Sequence, residues 1–432
     1  MYTYTKQLLE FIENSPTAYQ AVDTAAKILD EQGFIRLGAQ DAWKLQPGAG
    51  YYTVQNGTSI IAFCMPAEKI DSIMLAASHS DSPTFKLKAN CEADAFGDYV
   101  KLNTERYGGM ILSSWLDKPL SLAGRLVVKA DGCIKTVNVK VDRDLVLIPN
   151  VAIHQNRKHN DGYVFNAQTD MMPLYGMASA KGSLLSQVAE AAGVDVQSII
   201  GSDLYLYNRT PATIWGADNA FFSAPRIDNL MCAYGTLLGL LQSTTAQNTL
   251  QVWACFDNEE TGSRTKQGAG ALWMRDTLER VCEANGTDLR RVLPASMMLS
   301  ADNAHAKHPN HPELSDAQNA PRMGGGVVIK ANASQSYATD GVSCALFSEM
   351  CKREGVPTQS FANRSDSPGG STLGSIADTL LPMSTVDIGM AQLSMHSSYE
   401  TAACADNKHI VDASRAFFGT EIKLDAEGNY HI

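Results

Sequence analysis

The sequence lacks the features of several large classes of protein. Its nine cysteines stand singly and form no C-x-x-C pair, which argues against a thiolate metal site and predicts reduced thiols in a cytoplasm. No uninterrupted apolar stretch is long enough to span a bilayer. The opening segment MYTYTKQLLEFIENSPTAYQ does not combine a basic start with a long apolar core, so no secretory signal is expected. We therefore expect a cytoplasmic protein that does not work in a membrane.

An excess of basic charge is also lacking. The chain has 35 Lys and Arg residues against 46 Asp and Glu residues, a formal net charge of -11. Because phosphate binding needs a concentrated basic surface, nucleic acid is not expected as a partner. The G-x-S-x-G turn of many serine hydrolases is missing too, which disfavours that class of enzyme.

The 432 residues are too many for one ordinary core, so two domains are expected. Ser15 and Pro16 are read as the N-cap and first residue of a helix. Strands such as SIMLAAS, TLQVWACFD and ASMMLSAD alternate with helical patterns, which indicates a largely parallel mixed sheet covered by helices. Segments GRLVVKA, IKTVNVKV and LYLYN instead indicate a β-rich insertion. The predicted fold is an α/β domain of residues 1–89 and 225–432, interrupted by a β-rich domain of residues 90–224.

Five polar clusters follow predicted strands or begin predicted helices of the α/β part, where open α/β sheets usually bind ligands. Several of them have an ordinary explanation when taken singly: a strand-end turn, a helix N-cap, or a packed histidine. Two adjacent glutamates after an apolar strand are more unusual, because like charges repel unless a cation or a shared proton relieves them. The clusters contain His79 with Asp81, Asp228, Glu259 with Glu260, Asp302, and His396.

The combination of the clusters is more informative than any one of them. Two histidines and three carboxylates suit two zinc ions that share a bridging carboxylate and leave a position for water. The remaining glutamate of the pair could then act as general base. The same donor types also suit Mn²⁺ or Co²⁺, so the sequence does not decide the metal.

In its motifs the chain resembles the M18 family of metallopeptidases, the aspartyl aminopeptidase group, over essentially its whole length. The resemblance implies a zinc-exopeptidase-like fold, peptide substrates and removal of an N-terminal residue, with Asp and Glu preferred. It also implies five zinc ligands, namely His79, Asp302, Glu260 and His396 as terminal ligands and Asp228 as the bridge. The matching segments are ASHSDSP, RYGGM, WLDKPLSLAGRL, AIHQNR, PRIDNL, FDNEETGS, SADNAHAKHPNHPE, YATDG, DSPGGSTLG and VDIGMAQLSMHSSYE.

Further roles are implied by the same resemblance. Glu259 resembles the general base and Asp81 the carboxylate that orients His79. Lys330 stands where the family has the lysine of its specificity pocket, with His305 and Tyr337 nearby in motif terms. The alternative interpretation of Lys330 is an ordinary surface lysine at the end of a strand.

The insertion and the family's assembly give two weaker expectations. His154 matches a histidine thought to reach a neighbouring subunit's site, but a solvated loop residue is nearly as good an interpretation. The β-rich insertion, in turn, suggests a lid or dimerisation domain and a homododecamer, as in other family members.

Two alternatives stay open at this point. The family motif commonly reads MHSxRE, whereas Tyr399 precedes Glu400 here, so an aminopeptidase of broader or neutral specificity is possible. The other alternative is an inactive assembly scaffold. The retained Glu259–Glu260 pair speaks against it, since a scaffold has no need for adjacent repelling carboxylates.

Overall fold

The computed structural model describes residues 2–432, which form nine α-helices and 22 strands. The helices are α1 (Tyr2–Asn14), α2 (Ala18–Glu31), α3 (Leu184–Ala192), α4 (Ile227–Leu241), α5 (Trp273–Asn285), α6 (Leu289–Val292), α7 (Gly341–Arg353), α8 (Leu373–Ala377) and α9 (Asp406–Phe418). The strands are β1 (Ile35–Arg36), β2 (Gly50–Gln55), β3 (Ser59–Cys64), β4 (Ser72–His79), β5 (Thr84–Ala95), β6 (Tyr99–Tyr107), β7 (Leu120–Ala130), β8 (Cys133–Lys140), β9 (Leu174–Met177), β10 (Ile199–Asn208), β11 (Thr213–Trp215), β12 (Phe221–Ala224), β13 (Thr249–Phe256), β14 (Met297–Ala301), β15 (Ala304–His305), β16 (Val327–Lys330), β17 (Thr358–Phe361), β18 (Ser384–Gly389), β19 (Ala391–Leu393), β20 (Glu400–Ala403), β21 (Lys423–Leu424) and β22 (Tyr430–His431).

The main sheet has nine strands in the order β1-β2-β3-β13-β4-β14-β18-β16-β17. At its centre β13, β4, β14 and β18 run parallel, while β3 and β16 are antiparallel to their neighbours in this central group. This arrangement confirms the predicted α/β class with a largely parallel mixed sheet.

Helices cover both faces of this sheet because its strands are apolar on both sides. In β4, Met74 and Ala76 belong to the core shared with α1, α2, α4, α7 and α9. The alternate residues Ile73 and Leu75 belong to the core shared with α5, α6 and α8. Successive side chains of a strand point to opposite faces, so a continuous apolar run supplies both cores.

Two further sheets stand beside the main one. A six-stranded sheet in the order β8-β7-β10-β5-β6-β9 has its own buried core, which includes Phe85, Trp115 and Leu122. A five-stranded sheet in the order β11-β12-β20-β19-β15 joins strands from both sides of residue 225. The strands of the six-stranded sheet all lie between Thr84 and Asn208. The division into two domains itself stays a prediction.

The predicted start of a helix at Ser15 and Pro16 was wrong. Ser15 does not begin a helix but follows α1, and its N–H donates to the Ile12 carbonyl at 3.1 Å. The next helix, α2, begins at Ala18 with Thr17 in the extended N-cap conformation. Pro16 therefore lies in the connection between two helices, and α1 was not foreseen. Within the described range, every helix is too short or too polar to cross a membrane.

Candidate metal centre

Three central strands end at the same edge of the main sheet and bring their polar residues together. His79 is the last residue of β4, and Asp302 directly follows β14, which pairs with β4 in parallel. Glu259 and Glu260 lie in a single 3₁₀ turn shortly after β13, the parallel neighbour on the other side of β4. Because the carboxyl ends of parallel strands meet at one edge, residues far apart in sequence become neighbours here.

Asp228 and His396 reach the same edge from other elements. Asp228 is in the first turn of α4 but has non-helical backbone angles, with ψ at 110°. His396 lies in the connection between β19 and β20 with a positive φ of 66°. Neither backbone conformation continues the adjacent helix or strand, and in both cases the side chain is directed to the clustered carboxylates.

Nitrogen and oxygen atoms of five of these residues form two groups that both include Asp228. His79 Nε2 lies 3.5 Å from Asp228 Oδ1 and 3.4 Å from Asp302 Oδ1. His396 Nε2 lies 3.5 Å from Asp228 Oδ2 and 3.3 Å from Glu260 Oε2. Asp228 therefore takes part in both groups, with one oxygen in each.

These separations are longer than good hydrogen bonds between imidazole and carboxylate. Two ligand atoms about 2.0–2.1 Å from one tetrahedral zinc ion are about 3.3 Å apart, which is close to the observed values. Asp228 Oδ1 and Glu260 Oε1 are also buried without a hydrogen-bond partner in the described part of the chain. The donor set and its spacing thus fit two divalent cations better than they fit a hydrogen-bonded network.

The electrostatics of the cluster point the same way. Burial opposes ionisation of Asp228, yet His396 and His79 hold its pKa below the usual range. Burial also lowers the pKa of His79, but the carboxylates of Asp228 and Asp302 reverse that effect and raise it well above its ordinary value. Without cations, these side chains must share protons to limit repulsion. Binding of a divalent cation would displace those protons.

Glu259 does not belong to either pair of short contacts, but it lines the same cleft. Burial, opposed by His79 and reinforced by the carboxylates of Asp302 and Asp81, raises the pKa of Glu259 to about 8. Cations bound beside Glu259 would lower this pKa and favour the ionised carboxylate, which is the form that accepts a proton in general base catalysis.

Asp81 contacts both His79 and the Glu259–Glu260 pair. His79 Nδ1 lies 3.1 Å from the Asp81 main-chain carbonyl oxygen and 3.4 Å from its carboxylate, so Nδ1 is directed to these acceptors and Nε2 is the nitrogen that would bind a cation. The Asp81 carboxylate accepts the backbone N–H groups of Glu259 and Glu260, each at 3.2 Å. Asp81 therefore positions the glutamate pair as well as the histidine.

The cleft extends from the cluster towards Lys330, His305 and Tyr337 and has an empty volume of about 560 Å³. Lys330 is only 2% exposed, and its Nζ donates to the Asp302 carbonyl oxygen at 2.7 Å. The same Nζ lies 3.6 Å from the Asp302 carboxylate and 5.2 Å from the centre of the Tyr337 ring. Lys330 is thus a buried cation at the wall of the cleft, not a surface lysine.

Comparison with known proteins identifies the family. A family model described as "Aminopeptidase I zinc metalloprotease (M18)" matches residues 11–418. The chain belongs to the M18 family. A probable M18 family aminopeptidase 2 of Clostridium novyi (strain NT) is 40% identical over 426 residues, which cover 96% of this chain and 98% of that protein.

Solved structures agree with this assignment. The cryo-EM structure of the Ape4 and Nbr1 complex contains a chain that is 34% identical, with a TM-score of 0.93 and coverage of 96% of this chain and 85% of that one. The S. cerevisiae mApe1 dodecamer is 28% identical, with a TM-score of 0.85 and 96% coverage of both chains. The protein is therefore a metallo-aminopeptidase, a hydrolase of the M18 type, as its motifs predicted.

One of the site residues expected for an M18 aminopeptidase does not join the cluster. His154 is exposed in the segment between β8 and β9 and does not line the cleft of this chain. Its suggested role in a neighbouring subunit's site is neither supported nor opposed by that position, so it stays a prediction.

Other residues with evident roles in the M18 site were not singled out from the sequence. Tyr107, from the six-stranded sheet, donates its hydroxyl proton to Asp81 Oδ2 at 2.6 Å and accepts from Asn258 Nδ2 at 2.8 Å. Glu400 is buried next to the backbone of Asp228 and His396. Both lie inside quoted motifs, RYGGM and MHSSYE, but nothing in their local pattern shows which groups they contact.

Proposed function

We propose that this M18 aminopeptidase works with two divalent metal ions, with zinc preferred to manganese or cobalt, and removes acidic N-terminal residues from peptides. The observation that carries the proposal is the pair of donor groups that share Asp228. His79 and Asp302 would complete one site, and Glu260 and His396 the other. Imidazole and carboxylate donors in such groups suit these metals, and the family name specifies zinc.

The charge of the cluster supports two ions rather than one. Asp81, Asp228, Glu259, Glu260 and Asp302 are five carboxylates grouped at one edge of the sheet, and Lys330 is the lysine among them. If these carboxylates and the neighbouring Glu400 ionise, the negative charge that remains clearly exceeds what one divalent cation offsets. A single ion would leave a clear excess of negative charge in a buried place.

In the proposed mechanism, bound cations would supply Lewis acidity that lowers the pKa of water and polarises the scissile carbonyl. Glu259 accepts a proton from the attacking water at its carboxylate and later gives it to the leaving amine. Asp81 keeps Glu259 in place through the backbone N–H contact at 3.2 Å. Lys330 faces the side-chain carboxylate of an N-terminal Asp or Glu at the wall of the cleft.

The contacts of Lys330 favour a second hypothesis for the substrate preference. Lys330 already donates to the Asp302 carbonyl and pairs with its carboxylate, so its charge could serve mainly to hold Asp302. The cleft would then accept neutral N-terminal residues. An inactive scaffold has less support, because it has no need of two complete donor groups.

The test combines metal analysis with hydrolysis of four substrates. The purified protein should contain two metal ions per chain and should cleave Asp and Glu amides faster than Leu and Ala amides. A large preference for Leu or Ala would refute the proposed acidic specificity, but the protein would still be an active aminopeptidase. Failure of zinc, manganese and cobalt to activate the protein would favour the scaffold.

We further propose a division into a catalytic domain and a β-rich domain, with the second serving as lid and dimer contact in a homododecamer. One relative forms a dodecamer in its solved structure, and the chain has 96% coverage with it. Exposed apolar side chains on the β-rich part, such as Ile153 and Val164, agree with a covered surface in an assembly. The nine free cysteines agree with a reducing compartment such as the cytoplasm. Native mass spectrometry would measure the subunit number.

A further inference from the structure

Glu400 is a buried carboxylate that contacts two of the proposed ligand residues through their backbones. Its Oε2 accepts the N–H of Asp228 at 2.9 Å, and its Oε1 accepts the N–H of His396 at 2.8 Å. Glu400 is 2% exposed, and the groups that donate hydrogen bonds to its carboxylate in the described range are backbone N–H groups and the Gln392 amide, not a lysine or arginine. Each carboxylate oxygen therefore fixes a different ligand-bearing segment.

The contacts continue to the third segment of the site. Gln392 donates its Nε2 proton to Glu400 Oε1 at 3.2 Å and accepts from Asn303 Nδ2 at 2.7 Å. Asn303 directly follows Asp302, and its Nδ2 also donates to the Ile227 carbonyl at 3.0 Å. Because these side chains are all buried, loss of one of them leaves a buried partner with one hydrogen bond fewer.

We infer that Glu400 is a positioning residue that sets the separation between the shared ligand Asp228 and the terminal ligand His396. The inference rests on the proposed two-metal site and concerns how that site is held, not whether it exists. The Glu400 side chain thereby joins its own segment to Asp228, which lies 172 residues earlier in the chain. Groups that orient metal ligands in this way typically contribute about 10–100-fold to metal affinity.

Substitution of Glu400 by glutamine keeps the size of the side chain but changes the hydrogen bonds that it can form. An amide has one acceptor oxygen where the carboxylate uses two, so either the Asp228 N–H or the His396 N–H must face an NH₂ group. We expect E400Q to bind at least one of its two metal ions about 10–100-fold more weakly. Titration of the metal-free protein with Co²⁺, followed by its visible absorption and by competition with a chelator, measures this directly.

Two further variants make the result specific. Glu400→Asp keeps the charge but shortens the side chain, so a positioning role predicts weakened metal binding in this variant too. Asp406→Asn is the matched control, because Asp406 is another fully buried carboxylate and accepts the backbone N–H groups of Gly324 at 2.7 Å and Gly326 at 3.2 Å. It should lose stability, seen as a lower Tm, with unchanged Co²⁺ affinity.

The outcomes are distinct. Weakened Co²⁺ binding in E400Q and E400D, but not in D406N, together with recovery of activity at excess metal, supports the inference. Wild-type Co²⁺ affinity in E400Q overturns the inference. Wild-type affinity in E400D overturns it too, because the charge of Glu400 and not its position would then explain weakened binding in E400Q. A wild-type protein that binds fewer than two Co²⁺ ions would instead overturn the proposed function.

Discussion

Replacement of Lys330 by methionine tests the proposed preference for acidic N-terminal residues. Methionine has a similar length but neither the charge nor the donor protons, so an acidic substrate side chain would meet an apolar wall. Loss of one partner of a buried charge pair costs about 2–5 kcal/mol. Lys330 also donates to the Asp302 carbonyl at 2.7 Å, so part of its bonding capacity is already used. We therefore take the lower end, about 2 kcal/mol.

A difference of about 2 kcal/mol corresponds to about a 30-fold change in kcat/KM. The change also disturbs Asp302, whose carboxylate lies 3.6 Å from Lys330 Nζ, and that effect would lower the rate with every substrate. The ratio of kcat/KM for an Asp amide to that for an Asn amide removes the shared effect. Asp and Asn differ in charge but hardly in shape, so the ratio reports the charge contact.

We expect the Asp-to-Asn ratio to fall about 30-fold in K330M. Lys118→Met is the control, since Lys118 is a half-buried lysine that donates to Ser398 Oγ at 3.1 Å and does not line the cleft. Its ratio should stay at the wild-type value. An unchanged ratio in K330M would refute the reasoning and assign Lys330 to the support of Asp302 alone.

Three further predictions concern the base, the metals and the link between the sheets. Glu259→Gln should keep both metal ions but lower kcat about 10²–10⁴-fold, and near-normal turnover would refute its assignment as general base. Removal of the metals by a chelator should lower Tm, because ions at about 1,000 times their Kd stabilise the folded state by about 4 kcal/mol; an unchanged Tm would contradict a buried metal site. Tyr107→Phe removes the donor to Asp81 Oδ2 and should lower the free energy of unfolding by about 1.5–3 kcal/mol in a urea titration, whereas wild-type stability would show that Asp81 finds another donor.

The central part of the fold was predictable from the sequence because its strands are buried on both faces. Runs such as SIMLAAS have few alternatives to a central strand, and β4 is buried along its whole length. The first helix was missed because Ser15-Pro16 resembles a helix start, although the buried residues Leu8, Phe11 and Ile12 of α1 recur at helical spacing. The five-stranded sheet could not be foreseen, since β12 pairs with β20 across almost the whole length of the catalytic part.

The sequence predicts the candidate site as a set of residues but not as a geometry. The order of β13, β4 and β14 decides that Glu260, His79 and Asp302 meet, and no local pattern fixes that order. The contribution of Tyr107 from the six-stranded sheet was beyond sequence patterns for the same reason. The resemblance of the motifs supplied what spacing alone could not, namely which clusters belong together.

Asp228 shows why the supporting contacts matter as much as the donor set. In the proposed two-ion site, movement of a terminal ligand would weaken the binding of one ion, whereas movement of the shared Asp228 would weaken the binding of both. Two side chains accordingly hold this residue: Ser82 Oγ donates to its carbonyl at 2.7 Å, and its own N–H donates to Glu400 at 2.9 Å. The adjacent Asn229 donates to the Ala301 carbonyl at 2.8 Å. Side chains that are locked by buried contacts of this kind are what a two-ion site needs, because small displacements of a ligand reduce both affinity and rate.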